Sequence, residues 1–119
     1  MHALNSIENQ QSAQTFRKLG RLMPEKKMFL LLAETFQALG DSSRIQIVWA
    51  LSHGELKVGD IADLLKMSQP QVSHHLRMLR TLHLVKRRRD GRSSYYSLDD
   101  EHIDTILQSG IEHVDDLMK

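Results

Sequence analysis

Residues 68–98 read Ser68-Gln69-Pro70-Gln71-Val72-Ser73-His74-His75-Leu76-Arg77-Met78-Leu79-Arg80-Thr81-Leu82-His83-Leu84-Val85-Lys86-Arg87-Arg88-Arg89-Asp90-Gly91-Arg92-Ser93-Ser94-Tyr95-Tyr96-Ser97-Leu98. Val72, Leu76 and Leu79 recur at helical spacing and predict a helix from Gln69 to about Leu82. Ser68 is a natural N-cap, and Pro70 is tolerated in a first turn. Upstream, Val58 to Lys66 carries Ile61, Leu64 and Leu65 as a second short helix, and Met67-Ser68-Gln69-Pro70 makes the tight break between the two. Downstream, Leu84–Arg89 and Arg92–Leu98 flank Asp90-Gly91, a strong short-range hairpin signal. Two helices across a tight turn, followed by a basic two-stranded hairpin, define a winged helix-turn-helix.

The rest of the chain is read outward from that unit. Residues 1–8 read as a flexible arm, and Phe16, Leu19 and Leu22 suggest a helix from about Gln10 to Leu22. Glu25 to Leu39 is strongly helical, with Met28, Leu31, Leu32, Phe36 and Leu39 on one side and Gly40 as its stop. Asp41, Ser42 or Ser43 caps a third helix that buries Ile45, Ile47, Val48 and Leu51 and ends at His53-Gly54. After the hairpin, Ile103, Ile106, Leu107, Ile111, Val114 and Leu117 predict one amphipathic helix over 100–118. The expected class is mainly α, as a single domain over 1–119. The helix-turn-helix spans about 58–82, the wing 84–98 and the last helix 100–118.

Composition excludes several classes. A chain of 119 residues with 40% hydrophobic content makes one domain with a modest core. It contains no cysteine, so it has neither disulfides nor thiolate metal ligands, which fits a cytoplasmic protein. No signal-peptide-like apolar run stands near the N-terminus. The longest apolar run, Met28-Phe29-Leu30-Leu31-Leu32-Ala33, is too short to span a membrane.

Net charge is only +1, yet it is unevenly distributed. Between His74 and Arg92 stand Arg77, Arg80, Lys86, Arg87, Arg88, Arg89 and Arg92 against the single acid Asp90. Between Asp99 and Asp116 stand Asp99, Asp100, Glu101, Asp104, Glu112, Asp115 and Asp116 with no Lys or Arg. The first segment suits a polyanion and the second a cation. On the second helix of the helix-turn-helix the polar positions are Ser68, Gln69, Gln71, Ser73, His74, Arg77 and Arg80. These are residue types that read base edges in a major groove. Arg87, Arg88, Arg89 and Arg92 at the hairpin suit phosphates or a minor groove. Solvated surface polarity, or an edge strand blunted by charge, explains either element alone, whereas double-stranded DNA explains both together.

His102 and His113 lie eleven positions apart on the last helix, about three full turns, so they share a face but stand roughly 16 Å apart along the axis. Metal–nitrogen bonds are about 2 Å, so one chain cannot hold one ion with both. Two copies laid antiparallel across a two-fold axis near Leu107 and Gln108 remove the difficulty. Each end then gathers Asp100 and His102 of one chain with His113 and Asp116 of the other, two imidazoles and two carboxylates suited to Zn²⁺, in two identical sites. Ordinary solvation, and for Asp100 a helix cap, are the competing readings of these residues.

The chain resembles a known family in four stretches: Ala38-Leu39-Gly40-Asp41-Ser42-Ser43-Arg44-Ile45, Glu55-Leu56-Lys57-Val58-Gly59-Asp60-Ile61, Ser68 to Leu79, and Gly91 to Leu98. Over about residues 28–118 these are similar to the ArsR/SmtB family of bacterial metal-sensing repressors. The resemblance implies a winged-helix homodimer joined through its first and last helices. It also implies a metal site in which Asp100, His102 and His113 match position by position, while Asp116 stands where Glu or His is more usual. The family's alternative cysteine site is absent here, since Lys57 occupies a cysteine position.

What the resemblance implies is a repressor that binds operator DNA as a homodimer and releases it when Zn(II) binds, with Co(II) or Ni(II) able to use the same ligands. A carbonyl near His83, at the end of the recognition helix, would accept the second N–H of a ligating histidine. No catalytic residue is expected. Three other readings stand beside this one: a regulator of the same fold answering another signal, a zinc-dependent hydrolase, and a dimer stapled passively by zinc. No nucleophile motif or phosphate loop supports the hydrolase.

Overall fold

The computed structural model describes residues 2–119, and side chains from Asn5 onward. Its elements are α1 (His2–Leu22), α2 (Lys26–Leu39), α3 (Ser42–Leu51), β1 (Leu56–Lys57), α4 (Val58–Leu65), α5 (Gln69–Thr81), β2 (Val85–Asp90), β3 (Ser93–Leu98) and α6 (Glu101–Leu117). The class is mainly α with a small sheet, the winged helix-turn-helix expected from residues 58–98. Contacts group the chain into two compact units, one ending at Leu32 and the other running from Ala33 to Lys119. No helix among the described residues is long and apolar enough to cross a membrane.

In the first unit, α1 is helical from His2, where the sequence reading has an arm over 1–8 (Met1 lies outside the described residues). Residues 2–10 contain neither Gly nor Pro, so nothing in them stops the helix from extending. Phe16, Leu19 and Leu22 are well exposed on it.

The second unit holds the core. Ile47, Val48, Ile61, Val72, Leu76, Leu79 and Val85 are essentially inaccessible to solvent. Leu39, Leu51, Leu84, Ile103 and Leu107 complete the same cluster, so α3, α4, α5, β2 and α6 converge on it. Asp41 makes the expected cap, its Oδ2 accepting the Arg44 backbone N–H at 3.0 Å. That hydrogen bond, more than any other influence, holds the Asp41 carboxyl below its ordinary range. Arg44 also ties elements together, donating from Nε to the Ala38 carbonyl at 2.8 Å. The break between α4 and α5 forms as read. Lys66 turns left-handed at φ 57°, and Ser68 and Gln71 close a capping box over α5. Leu64, Ile106 and Phe36, named in the sequence as apolar positions of their helices, are exposed.

The sheet differs from a simple hairpin in two ways. The strand order is β1-β3-β2, with β3 in the middle and both pairings antiparallel. β1 has only two residues, too few for an alternating pattern to declare it. The hairpin turn also sits one residue later than Asp90-Gly91. Asp90 pairs with Ser93, which leaves Gly91 and Arg92 as the loop, with Gly91 at φ 61°. That positive φ is available to glycine without a Cβ penalty. The register is set by Val85 opposite Leu98 and Arg87 opposite Tyr96, which place Val85 in the core.

Candidate functional site

The α5 helix presents two faces. Val72, Leu76 and Leu79 are buried, while Gln69, Ser73, His74, Arg77 and Arg80 are exposed, as their helical spacing requires. Ser68 and Gln71 are exposed too, but the Ser68 hydroxyl and the Gln71 side-chain oxygen are occupied. The Ser68 hydroxyl accepts the Gln71 N–H at 3.2 Å, and Gln71 Oε1 accepts the Ser68 N–H at 3.0 Å. With its oxygen so engaged, Gln71 offers outward only N–H donors, one half of the paired pattern that reads adenine. The start of α5 is therefore a rigid cap on which Gln69, Ser73, His74 and Arg77 are displayed. His75 points the other way: it is half-buried, and its Nδ1 has no hydrogen-bond partner.

The wing is basic and exposed from Lys86 to Arg89. Arg87, Arg89 and Arg92 form no salt bridge with a carboxylate among the described residues, whereas Arg88 does. Arg88 donates from Nε to Glu55 Oε2 at 3.0 Å and from Nη2 to Glu55 Oε1 at 2.9 Å. Its guanidinium also lies over the Tyr95 ring, 4.6 Å from the centroid, and Lys57 Nζ lies 5.3 Å from the same ring. The hydrogen bonds from Arg88 hold the Glu55 carboxyl below its ordinary range, and those same bonds raise Arg88 further. Glu55 and Tyr95 are participants that the sequence does not announce. Glu55 is 33 residues from Arg88, and only the β1-β3-β2 order brings them together.

The second candidate cluster lies on α6. Asp100 is its N-cap, and Oδ1 accepts the His102 backbone N–H at 2.8 Å. His102 Nδ1 stands 3.3 Å from the same oxygen, and the His102 side chain is 91% exposed. A carboxylate has two oxygens, so capping and ligation are compatible roles. His113 and Asp116 follow on the same continuous helix, both exposed. Lys119 Nζ lies 3.7 Å from Asp116 Oδ1 and 3.5 Å from Asp115 Oδ2, so Asp116 already has a cationic neighbour. Among the described residues of one chain, no three His, Asp or Glu side chains gather closely enough to hold a metal ion. Asp100 with His102 makes one half-set and His113 with Asp116 another, about three turns along. At His83, φ is 58°, a left-handed turn leading from α5 into β2.

Along the C-terminal half of α6 runs an apolar groove of about 580 Å³, lined by Phe36, Leu39, Ile45, Ile106, Ile111 and Val114 among others.

Helix, turn, helix, wing and a flanking last helix define the winged-helix class of DNA-binding regulators. The profile described as "Bacterial regulatory protein, arsR family" matches residues 41–87. The chain is 45% identical over 86 residues to the HTH-type transcriptional regulator NmtR of Mycobacterium tuberculosis, covering 72% of each chain. It is 46% identical over 83 residues to a transcriptional repressor SmtB homolog of Synechocystis, covering 70% of this chain and 63% of that one. In structure it is similar to a homodimeric winged helix-turn-helix DNA-binding domain from Mycobacterium bovis, described as a possible ArsR-family regulator. That likeness has a TM-score of 0.74 at 25% identity and covers 82% of this chain and 93% of the other. The chain belongs to the arsR family of bacterial transcription regulators, and it is not an enzyme.

Proposed function

We propose that this chain is a Zn(II)-responsive repressor that binds operator DNA as a homodimer and releases it when Zn(II) bridges the two subunits. The observation that carries the reading is the division of ligands on α6. Asp100 with His102 and His113 with Asp116 are exposed half-sets on one helix, and no closer group exists within the described chain. A second copy laid antiparallel across α6 would complete both of them. The donor set, two imidazoles and two carboxylates, suits Zn(II), and Co(II) or Ni(II) can use the same atoms. The neighbouring relatives include a protein named for cadmium resistance, which supports a metal effector in general.

The single-domain plan, with the first and last helices at the subunit interface, is part of the same proposal. It is supported by the exposed apolar side chains of α1 (Phe16, Leu19, Leu22) and of α6 (Ile111, Val114, Leu117). The ion, when bound, supplies a cross-link between two α6 helices. The chain's own contribution is to hold Asp100 and His102 at a capped helix start and to place His113 on the same face. Asp116, shared with Lys119 and one carbon shorter than a glutamate, contributes least. Fixing the angle between subunits fixes the separation of the two α5 helices, which must lie about one DNA turn apart to engage both half-sites. On the DNA side, Gln69, Ser73, His74, Arg77 and Arg80 face the groove, and Arg87, Arg89 and Arg92 reach phosphates. A cytoplasmic location follows from that role.

Calorimetric titration should find two Zn²⁺ bound per dimer, and a protein that binds none at neutral pH refutes the proposal. For the DNA face, Arg77→Ala should weaken operator binding by about 1–3 kcal/mol while leaving non-specific duplex binding much closer to wild type. Equal losses on operator and on random duplex would show that Arg77 touches phosphate instead of a base.

A further inference from the structure

Four arginines crowd the wing, but one of them is turned away from the others' task. Arg88 on β2 pairs with Tyr95 on β3, and Lys57 on β1 pairs with Tyr95 from the other side, so all three share one face of the sheet. The Arg88 side chain folds back over the Tyr95 ring and ends in a two-bond fork on Glu55, just before β1. It therefore crosses the middle strand toward the opposite edge of the sheet. The Arg88 and Glu55 side chains are 52% and 37% exposed, so this is a surface pair, but its bidentate geometry and the Tyr95 ring beneath it favour this one direction for the guanidinium. Arg87, Arg89 and Arg92 have no salt-bridge partner of this kind among the described residues.

We propose that Glu55 is a positioning residue for DNA recognition, holding Arg88 against Tyr95 and out of contact with phosphate. The inference rests on the reading of this chain as a duplex-DNA binder and adds to it a division of labour within the wing. Arg88 braces the three-stranded sheet, and the other three arginines neutralise phosphates. Each phosphate neutralised adds about 0.9 to the slope of log affinity against log salt, independently of sequence. By withholding one cation, Glu55 limits sequence-independent affinity and so raises the ratio of operator to random binding. Lys57, whose ammonium lies over the same ring, keeps Tyr95 in place from the β1 side.

The test is the salt dependence of binding to a random duplex, by fluorescence anisotropy, for the full-length protein. Arg89→Ala should flatten the slope by about 0.9, and Arg88→Ala should leave it unchanged. Glu55→Gln should steepen the slope by about 0.9, raise random-duplex affinity several-fold and lower the operator-to-random ratio. Glu55→Gln combined with Arg88→Ala should return the slope to the wild-type value. Glu55→Gln also raises the net charge by one, so the Arg88→Ala variant is the deciding arm: a pure charge effect flattens its slope, whereas positioning by Glu55 leaves it unchanged. The proposal is overturned if Arg88→Ala flattens the slope as Arg89→Ala does, or if Glu55→Gln leaves it unchanged. A wild-type protein with no salt-dependent duplex binding overturns the DNA-binding reading itself, which is a different result from either of these.

Discussion

His102→Ala and His113→Ala are each expected to abolish Zn²⁺ binding at both sites of the dimer, and an equimolar mixture of the two variants is expected to recover one site. The reason is geometric. On a straight helix His102 and His113 are roughly 16 Å apart, so each ion needs a histidine from either chain. In the mixed dimer, one end has lost both histidines and the other has lost neither. Calorimetry on the mixture, after subunit exchange, should therefore give one Zn²⁺ per mixed dimer. Absence of recovery would show that the ligands do not cross an interface. The histidine changes are cleaner than Asp100→Ala, because Asp100 also caps α6 and its loss disturbs the helix start. Asp116→Asn should weaken binding less than either, in line with its place beside Lys119.

The largest effect on stability is expected at Leu76. It is fully buried on α5, among Ile47, Ile61, Val72 and Leu79 of the same core cluster. Leu76→Ala removes buried methyl groups and leaves a cavity walled by helices that cannot fully collapse, at a cost of about 2–5 kcal/mol. Single domains are stable by only about 5–15 kcal/mol, so the loss is a large share of the total. Denaturant unfolding should show a lower midpoint with an unchanged slope. A change below about 0.5 kcal/mol would mean that α5 is not seated as described.

Much of this was legible in the chain because local signals agreed with one another. Ser68 and Gln71 form a cap, and Val72, Leu76 and Leu79 form a buried stripe at helical period. Asp100 marks the start of α6 and is its cap in the structure. What was not legible depends on contacts distant in sequence. β1 is two residues long and exists only because β3 accepts it as a neighbour. The Glu55–Arg88 pair needs that same strand order, so Arg88 read in isolation joins the other wing arginines. The hairpin turn is displaced by one residue from the Asp-Gly pair, with Gly91 and Arg92 as its loop and Gly91 taking the positive φ. The candidate metal residues stood out by spacing alone, since sharing a helical face is a local property. Whether two half-sets become a site depends on a second chain.

The central claim is a coupling between metal on α6 and DNA on α5, and operator affinity with and without Zn²⁺ tests it most directly. Wild-type dimer at neutral pH should bind operator more weakly once Zn²⁺ saturates its sites. Couplings of this kind are about 1–3 kcal/mol, roughly 5- to 150-fold, and by reciprocity operator DNA should weaken Zn²⁺ binding by the same factor. The response should fade in acid, because imidazole ligates only when neutral. His102→Ala should bind operator normally and ignore Zn²⁺, since α5 and the wing are untouched. If Zn²⁺ saturates the wild-type dimer and operator affinity stays the same, the ion is a passive staple and the sensor account is wrong.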